Sequence, residues 1–186
     1  MENFSDTEII ESILKGNPDD FRLLIRRYKD KAFPLVKRML RNEMDAEDVL
    51  QDAFVKAFLN LKAFRKESRF STWFYRIVYT TALNKIKSVK RRSFTEELPN
   101  DASRVPEIAI DEERDIFGTE LIESIMAQLP EANIVILQLF YYDCLPCEEI
   151  AGVVGMSVSN VKIMLYRSRK LMKEIIEKRK LKSELL

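Results

Sequence analysis

The chain contains no histidine. That removes the commonest general base and the commonest metal ligand together. An ordinary hydrolase or a zinc enzyme is not expected, and no catalytic residue, metal site or cofactor is assigned. Only four glycines and six prolines punctuate 186 residues. Long helices need few breakers, so this scarcity favours an all-α protein. Long apolar runs are missing too. Ile134-Val135-Ile136-Leu137 is far too short to span a bilayer. The N-terminus reads Met1-Glu2-Asn3-Phe4-Ser5-Asp6, acidic where a secretion signal is basic. A cytoplasmic protein without membrane insertion is expected.

What is present is a 46% hydrophobic share, ample for packed cores, and a segregated charge. Residues 1–92 hold 20 Lys/Arg and 13 Asp/Glu, residues 93–118 hold 2 and 8, and residues 119–186 hold 9 and 9. In the last block all nine basic residues crowd into 162–182, facing only Glu174 and Glu177 there. Two basic regions around an acidic stretch suggest two nucleic-acid-facing modules and a linker. The expected architecture is two small helical domains, 1–92 and 119–186, joined by a flexible acidic linker, 93–118.

Ser5 or Asp6 caps a first helix that Gly16 ends, and Asn17-Pro18 restarts the chain. A second helix puts Phe21, Leu24, Ile25, Tyr28, Ala32 and Leu35 on one side, with a kink expected at Pro34. After a turn at Asn42 to Asp45, a third helix carries a nearly unbroken apolar face from Ala46 through Phe58 to Leu61. Opposite lie Asp45, Glu47, Asp48, Gln51 and Asp52. They form either a docking surface for a basic partner or favourable acidic residues near a helix N-terminus; both readings stand. Phe64 to Phe70 reads as a charged loop, and Ser71 as the cap of a fourth helix from Thr72 to about Arg91. Aromatic and basic residues there, from Trp73 and Arg76 to Lys87, Lys90 and Arg91, suit single-stranded DNA. Core spacing suits Trp73, Phe74 and Ile77 equally well.

The clearest local signal runs from Glu148 to Val161. A short helix with Ile150, Ala151 and Val154 ends at Gly155, placed for positive φ. Ser157 caps a long helix that returns Val158, Val161, Leu165, Ser168, Leu171 and Met172 to the core. Its other face shows Asn160, Lys162, Ile163, Tyr166, Arg167 and Lys170. Such a helix-turn-helix enters the major groove, with cations on phosphates and polar groups on base edges. Against it stands a plain helical hairpin with a solvated basic face. The C-x-x-C pair Cys144 and Cys147 matches neither a thioredoxin-like strand pattern nor a complete metal set. Small packing residues are the expectation, with a redox role as the alternative.

Taken together these segments resemble the extracytoplasmic-function sigma factors of bacterial RNA polymerase over nearly the whole chain. Ala46 to Phe54 resembles the family's polymerase-docking helix, and Phe70 to Ile77 the start of its −10 recognition helix. Leu129-Pro130-Glu131, Glu148 to Ala151 and Ser157 to Lys162 resemble its −35-reading domain. The resemblance implies a sigma factor that recruits core RNA polymerase to promoter DNA. Asp45, Glu47, Asp48, Gln51, Asp52 and Val55 would bind the clamp coiled coil. Arg65, Lys66, Arg69, Phe70, Arg76, Lys87, Lys90 and Arg91 would serve the −10 element, the loop 65–70 capturing a flipped base. Ser159, Asn160, Lys162, Ile163, Tyr166, Arg167 and Lys170 would read the −35 element, with the second domain on the polymerase flap. An anti-sigma factor is the further partner implied. Thr80, Asn84, Lys87 and Met164 depart from the common family pattern, so promoter sequence is not carried over. The rival is a dimeric helix-turn-helix regulator acting without polymerase docking.

Overall fold

A computed structural model describes residues 4–96, 119–126 and 128–183. The described residues are all helical, without a strand: α1 Asp6–Leu14, α2 Phe21–Leu40, α3 Glu43–Leu59, α4 Phe70–Glu96, α5 Thr119–Met126, α6 Glu131–Tyr141, α7 Cys147–Val154 and α8 Val158–Ser183. Short 3-10 turns at Pro18–Asp20 and Leu61–Ala63 link the first helices.

Local sequence chemistry explains most of the boundaries. The Ser5 backbone N–H donates to Glu8 Oε2 at 2.7 Å while Glu8 N–H donates to Ser5 Oγ at 3.3 Å, a reciprocal capping box. Asn42 caps α3 by accepting from Asp45 N–H at 3.0 Å, so the helix starts at Glu43 and the expected turn at 42–45 is already its first turn. α4 begins at Phe70, two residues before the expected Thr72, and runs through Glu96 into the stretch assigned to the linker. Residues 97–118 lie outside the described residues. α2 continues through Pro34 to Leu40.

α2, α3 and α4 pack together with α1 across one end. Their core is aromatic. Phe74 is fully buried, stacked on Phe54 at 4.7 Å and on Phe70 at 5.9 Å, with Tyr28 at 5.6 Å. In the second module α6, α7 and α8 enclose Ile134, Ile136, Leu139, Ile150, Val153, Val161 and Leu165. Each such side chain contributes roughly 1.5–3 kcal/mol on burial. The buried Ser168 hydroxyl accepts from Asn133 Nδ2 at 2.9 Å and donates to the Met164 carbonyl at 2.7 Å, so its burial leaves no unmet polarity. The two modules are also packed on each other, α6 against α2 and α7 against α4, and their buried residues form one continuous core.

Candidate nucleic-acid and docking interface

The helix-turn-helix forms as its residues dictate. Gly155 takes φ 70° at the end of α7, and its N–H donates to the Ala151 carbonyl at 2.9 Å. Ser157 Oγ accepts from Asn160 N–H at 3.2 Å and starts α8. Val161, Leu165 and Ser168 face inward. Ser159, Asn160, Lys162, Ile163, Tyr166, Arg167 and Lys170 are all exposed, Tyr166 by 67%. From Val158 to Lys173 the helix carries no carboxylate, so this face is cationic and polar around an exposed Ile163. Arg169 sits apart from it: its Nε donates to Tyr141 Oη at 2.8 Å and its guanidinium lies 5.7 Å from the Phe140 ring centroid.

On α3, Glu47, Asp48, Gln51 and Asp52 are exposed, as is Val55. Asp45 is different. It is half-buried, and Lys85 Nζ of α4 lies 2.6 Å from its Oδ1, so this carboxylate is tied within the module. Beside the acidic stripe, α2 and α3 border an open groove of about 1050 Å³. Phe21, Ile25, Phe33, Leu50, Phe54 and Phe58 supply its apolar side, and Arg22, Lys29, Glu43, Glu47 and Gln51 its polar one. The sequence reading put Phe58 on the core face, but it is 41% exposed, and neighbouring Leu59 is 71% exposed. The signal was present: an apolar face nearly unbroken over four turns is wider than one packing stripe needs.

The loop before α4 exposes Arg65, Lys66 and Arg69. Lys66 Nζ pairs with Glu11 at 2.7 Å and holds that carboxyl below its usual range. Phe70, expected among the DNA-facing residues, is buried between Tyr28, Phe64, Trp73 and Phe74, because the helix starts at this residue and turns its ring inward. Trp73 is half-buried against Phe64 and Phe70. Farther along, Arg76, Lys87 and Arg91 are exposed, while the side chain of Lys90 lies outside the described residues. Thr80 donates back to the Arg76 carbonyl at 2.8 Å, and Asn84 is exposed. Cys144 is exposed at φ 52°, so only half-buried Cys147 fits the packing role expected for both. No metal-binding cluster occurs among the described residues.

Two surfaces on two helical modules, one cationic on a helix-turn-helix and one acidic beside an apolar groove, define a sigma-70-type architecture. The Sigma-70 region 2 family model matches residues 24–92 and the Sigma-70 region 4 model residues 119–172. The chain is 30% identical over 175 residues to the ECF RNA polymerase sigma factor SigW of Bacillus subtilis, covering 89% of this chain and 93% of that one. It is 32% identical over 181 residues to the ECF RNA polymerase sigma-E factor of Escherichia coli, covering 90% and 92%. Among solved structures, CnrH in complex with the cytosolic domain of CnrY shares the fold with a TM-score of 0.66 at 19% identity, over 91% of this chain and 95% of that one. The sigma factor RpoE in complex with the anti-sigma factor NepR from Bartonella quintana also gives 0.66, at 16% identity, over 85% and 97%. The chain belongs to the ECF RNA polymerase sigma factors. Its class is that of DNA-binding regulatory proteins of transcription initiation. No described helix is long and apolar enough to cross a membrane.

Proposed function

We propose that this chain acts in the cytoplasm as a non-enzymatic subunit, docking on core RNA polymerase through its first module and reading promoter DNA with both. The carrying observation is the division of labour between surfaces: the apolar-acidic groove of α2 and α3 and the carboxylate-free face of α8 sit on different modules. Glu47, Asp48, Gln51, Asp52 and Val55 would meet the clamp coiled coil, with the groove receiving an apolar ridge. Asp45 would act indirectly, by anchoring α3 to α4 through Lys85. Asn160, Lys162, Ile163, Tyr166, Arg167 and Lys170 would enter the major groove of the −35 element. Arg65, Lys66, Arg69, Arg76, Lys87 and Arg91 would hold the −10 strand, and Phe70 would brace the loop from beneath. The domains would divide as 1–92 and 119–186 around the connecting segment. An anti-sigma factor is the proposed inhibitory partner.

Run-off transcription with purified core polymerase and genomic promoter fragments tests the role. New start sites that depend on the protein are expected. Tight binding to duplex DNA as a dimer, with no new start sites, would favour the self-sufficient regulator. Asp48→Arg should weaken core binding in a pull-down while helicity is unchanged. Arg167→Ala should cost about 1–3 kcal/mol at one −35 position if it reads a base, and weaken all sequences alike if it holds a phosphate.

A further inference from the structure

Ile163 stands at the centre of the exposed face of α8. Side chains three and four positions away on a helix are its immediate neighbours. For Ile163 these are Ser159, Asn160, Tyr166 and Arg167, and all four are exposed. The core side of the helix lies opposite, with Val161, Leu165 and Ser168 buried. Ile163 itself is 47% exposed and takes no part in the hydrophobic core, which draws Val161, Met164, Leu165 and Leu171 from the same stretch.

The chemistry of this side chain differs from that of the ring around it. Ser159, Asn160, Lys162, Tyr166, Arg167 and Lys170 can each donate a hydrogen bond to a phosphate or a base edge. Ile163 can do neither. A single exposed aliphatic residue is ordinary on a protein surface, but this one lies in the second turn of α8, which begins at Val158. The N-terminal turns of such a helix carry the side chains that meet base edges. In the major groove the bases present donors and acceptors, and the thymine 5-methyl is the one apolar group in that pattern. Set against a donor or acceptor, Ile163 would strip water from a polar atom and return no bond. Set against the methyl, it removes two apolar surfaces from water.

We propose that Ile163 is a specificity-determining residue that selects a thymine in the duplex element read by α8, through van der Waals contact with the 5-methyl group. This rests on the promoter-reading role proposed above and adds the base that one position of the element must hold. Its neighbours set where that position lies. Arg167 is one turn further along the helix, about 6 Å on at a rise of about 1.5 Å per residue, and a guanidinium suits the paired acceptors of guanine. At about 3.4 Å per base pair, the selected thymine stands within about two base pairs of the one that Arg167 meets. The contact amounts to one buried methyl group, equivalent to about a fourfold difference in affinity.

The test uses the full chain assembled with core polymerase and a promoter found by run-off transcription. Each thymine of the −35 element, on either strand, is replaced in turn by deoxyuridine, which removes the 5-methyl group and keeps every hydrogen-bonding group. Competition binding measures the affinity for each duplex. One replacement should weaken binding by the parent chain about fourfold. Ile163→Ala should bind the thymine and uracil duplexes of that position equally. Lys162→Ala should bind both more weakly and keep the parent's ratio. Because Ile163 is exposed on a helix, alanine there leaves the fold intact, which far-ultraviolet circular dichroism verifies. An element holding no thymine, a flat deoxyuridine scan, or a thymine-to-uracil ratio unchanged in Ile163→Ala overturns the proposal. Promoter reading itself survives these outcomes if exchanged base pairs in the element still reduce binding. If scrambling the whole −35 element leaves binding unchanged, promoter reading by α8 falls and the thymine contact falls with it. Weaker assembly of Ile163→Ala with core polymerase in the absence of DNA would assign the side chain to a protein contact and also overturn the proposal.

Discussion

Two tyrosine–aspartate pairs in this molecule use the same bond in opposite settings. Tyr28 donates to Asp6 inside the first module, and Tyr75 donates to Asp143 across the seam between the modules. Asp6 uses both of its oxygens, because Arg27 occupies the other one. Asp143 uses one, and the second is buried without a partner among the described residues. Burial pushes the Asp143 carboxyl above its ordinary range, while the Tyr75 bond and the charge of Lys31 pull it partly back. Burial likewise raises both phenols, so both tyrosines stay protonated donors. The difference teaches where permanence lies. A carboxylate with both oxygens engaged fixes α1 to α2, whereas one with a single oxygen engaged ties the two modules.

The largest effect should come from the aromatic core, on which the Tyr28 ring also packs. Phe74→Ala is expected to cost about 3–5 kcal/mol, read by chemical denaturation. A loss below 1 kcal/mol would mean that the first module lacks the core described. Asp6→Ala removes two partners at once and should cost about 1–3 kcal/mol by the same assay. Asp143→Asn keeps an acceptor for Tyr75 and deletes a buried charge, so global stability should move by less than about 1 kcal/mol. A stability loss equal to that of Asp6→Ala would erase the contrast between the pairs.

The smallest effect is a pH dependence. Because burial at the seam raises the carboxyl of Asp143, the packed seam favours its protonated form. The cost of burying the charge is present above the raised value and fades as pH falls through it toward the ordinary carboxylate range. Acidification through that range should therefore weaken this penalty in the parent chain and not in Asp143→Asn, read as the difference in denaturation free energy between the two across a pH series. An identical profile in both would assign the pH response to groups other than Asp143.

Much of the fold was legible because helical chemistry is local. Ser5 with Glu8, Asn42, Gly155 and Ser157 each mark a boundary through bonds reaching no more than five residues. The helix-turn-helix face was legible for the same reason: once α8 is a helix, Asn160, Lys162, Ile163, Tyr166, Arg167 and Lys170 must share a side. Phe70, Asp45 and Phe58 were not legible. Each stands at the margin of a face, and its fate depends on a neighbour from another helix. Phe70 meets Tyr28, Asp45 meets Lys85, and Phe58 meets Phe21 edge-on at 5.1 Å on the rim of the groove between α2 and α3.

What the sequence determined by itself was an all-helical, two-module chain with opposite chemistry on two of its surfaces. Periodicity, caps and the clustering of charge are properties of neighbours along the chain. What only the tertiary structure decided was the seam. Thr72 and Glu149 are 77 residues apart, Tyr75 and Asp143 are 68 apart, and Arg38 and Gln138 are 100 apart. No periodicity encodes such pairings. They exist because α7 and α6 can lie against α4 and α2, and they make the two helical modules of one chain hold each other.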